Sequence, residues 1–108
     1  MTTERLQQLE DMLRETPNDV FLIYAIALET FKTGQNESAI AKLRFLIDFS
    51  PEYLPAYFRL GQWLAECDKI EESRVILLKA SSLARAQEDQ KALQEIEELL
   101  LFIDDYEI

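Results

Sequence analysis

Ser50-Pro51-Glu52 restates Thr16-Pro17-Asn18 at an interval of 34 residues, and the neighbouring sequence keeps the same register. Moved by that interval, Leu6, Leu9, Met12 and Leu13 fall on Ile40, Leu43, Leu46 and Ile47. Ile26-Ala27 falls on Leu60-Gly61, Glu37 on Glu71, Ala39 on Ser73, and Leu43 in turn on Leu77. A fixed period of this size is the mark of stacked helical repeats, each burying its apolar face on its neighbours. Such folds present surfaces and seldom perform chemistry.

Apolar spacing and punctuation divide the chain into six helices. Leu6, Leu9, Met12 and Leu13 define an amphipathic helix over 3–15, capped by Thr and ended before Pro17. Asp19 is the expected N-cap of a helix over 20–33 that closes at Gly34. Asn36 or its neighbour opens a third over 36–49, with Ala39, Ile40, Leu43, Leu46 and Ile47 inward. A fourth spans 53–66, with Pro55 in its first turn, where a missing N–H costs nothing. Asp68-x-x-Glu71 reads as a capping box for a fifth over 70–84, and a sixth covers 88–103. Ser82 to Gln90 contains neither Gly nor Pro, so one continuous helix there is the alternative.

The 34-residue unit is thus a pair of antiparallel helices, and its residues resemble the tetratricopeptide repeat family. The family's first-helix pattern, Trp-x-x-Leu-Gly-x-x-Tyr, is similar to Tyr57-Phe-Arg-Leu60-Gly61-Gln-Trp-Leu64. Its second-helix pattern of Ala and then a large residue appears as Ala39 with Leu43 and as Ser73 with Leu77, and its closing proline as Pro17 and Pro51. The earlier copy, Ile23, Ile26-Ala27 and Thr30, lacks the aromatic residue, and Arg85 stands where a further closing proline belongs. The resemblance implies an all-α solenoid of antiparallel helix pairs with right-handed stacking. It divides a single domain, 1–108, into a half-repeat at 1–17, repeats at 18–51 and 52–85, and a capping helix with acidic tail at 86–108. Met1 and the capping character of the last helix favour a complete domain.

Small residues have a physical role here that is independent of the resemblance. Ala27, Gly61, Ala39 and Ser73 are expected where two helices cross closely, and a Leu at position 61 would overpack that crossing. Trp63 is read as interlayer packing, with ligand contact as the lesser option.

The helix over 20–33 carries two apolar stripes. Ile23, Ile26, Ala27 and Thr30 form the core stripe, while Phe21, Tyr24, Leu28 and Phe31 form a second, rotated away from it. A helix apolar nearly all round must be covered on both sides. The resemblance implies that first helices line a concave face, to which the fourth helix adds Phe58, Arg59, Gln62 and Glu66. Three covers for the second stripe remain open: another segment of this chain, a segment of a partner protein, or a second copy. Some family members grip a carboxylate with Lys, Asn and Arg on these helices. The corresponding places here, Tyr24, Leu28, Phe58 and Gln62, hold no cation, so an apolar or basic ligand is expected.

Acids outnumber bases 21 to 11, a formal charge of −10, which argues against nucleic acid and anionic membrane surfaces. Residues 88–108 hold eight acids against Lys91 alone, read as a solvated end or a dock for a basic partner. There is no histidine, no glycine-rich phosphate loop and one cysteine, Cys67, read as a small buried or half-buried filler. No catalytic residue, metal site or cofactor is therefore expected, and a reducing, cytoplasmic setting is the simplest inference. Leu99-Leu-Leu-Phe-Ile103 is too broad for one helix face, so Leu101 or Phe102 is expected to point outward, with Tyr106 and Ile108 extending the apolar character.

The expected function is a protein-interaction module that takes an apolar or basic peptide or helix. Phe21, Tyr24, Leu28, Phe31, Phe58, Arg59 and Gln62 are its contact residues. The alternatives are a homodimeric structural unit and a non-catalytic regulatory subunit of an enzyme.

Overall fold

The computed structural model describes residues 3–106. Ile108 lies outside the described residues, as does the side chain of Tyr106. The described residues form six helices, in two compact units that divide between Pro51 and Glu52.

In the first unit α1 (Glu4–Glu15), α2 (Val20–Lys32) and α3 (Asn36–Phe49) follow one another through short turns. Thr3 Oγ1 accepts from the Leu6 amide at 2.9 Å, and Asp19 Oδ1 accepts from the Leu22 amide at 3.0 Å. These bonds satisfy N–H groups that a helix start leaves without an internal partner, each worth about 1 kcal/mol. Gln35 caps α3 without a side-chain bond. Leu6 and Leu9 of α1 close on Leu22, Ala25 and Ile26 of α2, with Leu13 at the edge of the cluster. Where α2 packs against α3, Ala27, Ala39, Leu43 and Leu46 lose all solvent contact. Thr30 is buried too, its hydroxyl donating to the Ile26 carbonyl at 2.7 Å. Met12, expected inward, is exposed instead, because α1 turns only Leu6 and Leu9 fully onto α2.

In the second unit α4 (Leu54–Glu66), α5 (Ile70–Ala86) and α6 (Gln90–Tyr106) pack with α5 against both others, while α4 and α6 also touch. The expected close crossing lies between α4 and α5. A Cβ on Gly61 would stand 2.4 Å from Leu77 Cδ2 and 2.6 Å from Leu77 Cγ, so the Leu77 side chain fills the space that glycine leaves. One turn away, buried Ser73 donates its hydroxyl to the Gly61 carbonyl at 2.7 Å. Leu60, Leu64, Leu77, Ile96 and Ile103 are almost wholly enclosed, and each such burial contributes about 1.5–3 kcal/mol.

The chain turns back after α4 and after α5 by one device. Asp68, at φ 62°, and Glu88, at φ 57°, occupy the left-handed region. The next amide bonds back over five residues in each turn, Lys69 to the Leu64 carbonyl at 2.8 Å and Asp89 to that of Ala84 at 2.9 Å, a pattern that closes a helix end. The capping box expected at Asp68-x-x-Glu71 is therefore not formed. Asp68 ends α4 rather than starting α5, whose cap is Lys69 without a side-chain bond, and Glu71 pairs with Arg74 instead. The same device at Glu88 separates α5 from α6 without Gly or Pro, and Asp89 Oδ1 then accepts from the Ala92 amide at 3.0 Å.

Candidate functional site

On α2 two faces are taken up by helix packing, Leu22 and Ala25 toward α1 and Ala27 with Thr30 in the buried part of the α2–α3 pair. Along the remaining flank Tyr24, Leu28 and Phe31 are half-buried, while Phe21 is exposed over 65% of its surface. Phe21 and Met12 line a shallow hollow beside the α1–α2 turn with Thr16, Asp19 and Leu22. The second stripe read from the sequence is therefore a face that neither α1 nor α3 fully covers. Leu22 and Ala25 were not part of the expected core. A helix with apolar residues on three sides offers no single stripe by which to assign them.

A second apolar feature of this unit is a groove of about 370 Å³, floored by Ile23 and Ile26, with Leu13 and Pro17 on one side and Ala41, Lys42 and Phe45 on the other. Phe45 and Phe49 stack on α3 with ring centroids 6.0 Å apart and planes 6° from parallel, both exposed. Their separation of four residues is a helix-face signal that sequence reading left unused.

On α4 the expected contact residues Phe58, Arg59 and Gln62 are all half-buried. Arg59 Nη1 donates to Gln62 Oε1 at 3.3 Å, so the two side chains engage each other. Gln62 also lines a cleft of about 310 Å³ between α4 and α6. Ala65 and Glu66 continue its α4 wall, Leu99, Phe102 and Ile103 form the α6 wall, and Asp68 and Ile70 close the end at the α4–α5 turn. The α6 wall comes from the apolar run 99–103. Ile103 is buried, Leu99 and Leu100 are half-buried, and both Leu101 and Phe102 point outward, at 66% and 64% exposure.

Polar groups inside this framework are matched. Among the described residues no buried side-chain nitrogen or oxygen lacks a hydrogen-bond partner. Arg74 on α5 holds Asp104 of α6 at 3.0 Å and Glu71 at 2.6 Å, while Arg85 reaches Glu97 at 3.3 Å. Trp63 is 4% exposed, and Cys67 is half-buried at the C-cap of α4. Among the described residues no group of His, Cys, Asp and Glu is placed to hold a metal ion. Nor is any of their helices long and apolar enough to cross a membrane.

No protein-family model and no curated protein sequence matches the chain. Solved structures do. A tetratricopeptide repeat domain protein from Salinibacter ruber superposes with a TM-score of 0.79 at 27% identity, over 82% of this chain and 90% of that one. The type III secretion translocator chaperone SycD of Yersinia enterocolitica gives 0.84 at 14% identity, over 94% and 71%. The TPR2B domain of yeast Sti1, solved as a complex with pHsp70, gives 0.85 at 18% identity, over 94% and 81%. The chain has the fold of these tetratricopeptide repeat structures, an all-α helical-repeat solenoid.

Proposed function

We propose that this chain is a protein-interaction module that holds an apolar or basic peptide or helix of another protein. The observation that carries the reading is the flank of α2. Two of its faces are engaged by helix packing, yet Tyr24, Leu28 and Phe31 remain half-buried and Phe21 exposed on a third. Aromatic side chains of this kind supply large contact area when a partner covers them. Phe58, Arg59 and Gln62 on α4 are the proposed contact residues of the second unit, aromatics and Arg being the residue types that dominate binding energies. Sti1 TPR2B in its complex with pHsp70 and SycD as a translocator chaperone support a protein partner.

Tyr24→Ala combined with Phe58→Ala should abolish recovery of a stoichiometric partner from lysate, with helical circular dichroism near that of the parent. Retained capture, or loss of the helical signal, would remove these residues from the binding surface.

Self-association is a second reading, favoured by the adjacent exposed Leu101 and Phe102. A test of this reading must keep buried Ile103, which stands beside them on α6. Leu101→Ser with Phe102→Ser leaves that residue in place. If the reading holds, light scattering should give twice 12.6 kDa for the parent and 12.6 kDa for the variant. A monomeric parent at every concentration would end it.

A further inference from the structure

The cleft between α4 and α6 is chemically graded along its length. Its middle is apolar, between Ala65 on one wall and Leu99 and Phe102 on the other, with Ile70 at its end. At one end stands Gln62, to which Arg59 donates. One helical turn on, about 6 Å along the axis, the other end presents Glu66 and then Asp68, both exposed. Glu66 is the last residue of α4, where the carbonyls of the final turn add negative potential. Among the described residues no basic one lines the cleft. The α5 guanidinium of Arg74 is engaged by Glu71 and Asp104, and Lys69 points to solvent beside the turn. Residues 52–108 as a whole carry thirteen acids against six bases. An apolar slot with carboxylates at one end and low positive potential around it selects a cation next to a hydrophobic anchor. It disfavours an acidic occupant, including the acidic α6 of a second copy.

We propose that this cleft docks a partner segment whose large apolar side chain enters between Ala65, Leu99 and Phe102, and whose adjacent Lys or Arg lies against Glu66 and Asp68. The proposal rests on the interaction-module reading and gives it a ligand chemistry and a direction, with the base at the α4 C-terminal end.

The test uses the full chain, isotope-labelled, and a short end-blocked peptide in which Leu and Phe recur at helical spacing among Lys residues. A second peptide carries Glu for every Lys, and a third Ser for every Leu and Phe. The Lys peptide should shift the amides of Ala65, Glu66, Ile70, Leu99 and Phe102 and saturate them, with the Glu peptide at least about tenfold weaker and the Ser peptide inert. Glu66→Gln with Asp68→Asn should bring the Lys peptide to the level of the Glu peptide, and added salt should do the same in the parent. Equal binding of the Lys and Glu peptides overturns the proposal, as does saturation that leaves these five amides unmoved. Should the Glu peptide instead shift Tyr24, Leu28 and Phe31, the cleft is dismissed while the interaction module stands. If no peptide shifts any amide, the cleft is dismissed and the Tyr24/Phe58 capture experiment alone judges the broader reading.

Discussion

Two units of one sequence period solve the same packing problem with different chemistry. In the N-terminal unit the small positions are Ala27 and Ala39, both fully enclosed. In the C-terminal unit they are Gly61 and Ser73, and there the crossing is tight enough that Leu77 fills the Cβ position while Ser73 bonds to the Gly61 carbonyl. The turns differ in the reverse sense. Position 34 has glycine in the left-handed region, at φ 85°, whereas its counterpart 68 has Asp and the later turn has Glu88. Each unit thus has its own weak point. The second depends on the absence of one methyl group at a helix crossing, and the first on the absence of one in a turn.

The largest expected effect probes the crossing. Gly61→Leu should cost about 3 kcal/mol, and Gly61→Ala about 1 kcal/mol, because fully enclosed Leu77 must give way to any Cβ. Urea unfolding followed by circular dichroism reads both as a fall in midpoint at constant slope. Alanine gains about 1 kcal/mol of helix propensity over glycine, so a Gly61→Ala stabilised by that full amount would mean that the two crossings are equivalent, since position 27 already carries alanine. The turns give smaller effects. Gly34→Ala meets no atom within 4 Å, so its cost is purely that of a positive φ, about 1 kcal/mol. Glu88→Gly removes that same cost from the second unit and should raise stability by about 0.5–1 kcal/mol, read as a higher midpoint. Opposite signs at these two sites would sharpen the comparison, and equal signs would break it.

The sequence made the helices legible because the apolar periodicity agrees with the breaks at Pro17, Gly34 and Pro51. Thr3, Asp19 and Pro55 act as their types require, and the small-residue crossing follows from the interval alone. Legibility failed where one pattern has two physical meanings. Asp68-x-x-Glu71 has the spacing of a helix start, but an aspartate also tolerates the left-handed turn that ends a helix, and here the turn takes precedence. The continuous apolar character of α2 concealed Leu22 and Ala25 as core. In the candidate cleft, Gln62 and Glu66 were visible from α4, whereas Leu99 and Phe102 arrive from a helix more than thirty residues away. Only the folded chain places them opposite one another.

Enclosed Trp63 is the only tryptophan in the chain, and it stands in the second unit, while the first has Tyr24 as its sole tyrosine. Excited selectively, that indole reports on the surroundings of α4: its emission should be that of a ring shielded from water, and it should shift to the red when α4 leaves its packing. The far-ultraviolet signal, by contrast, sums all six helices. Recorded on one sample, the two signals set the packing around α4 beside the helical content of the whole, with no label attached.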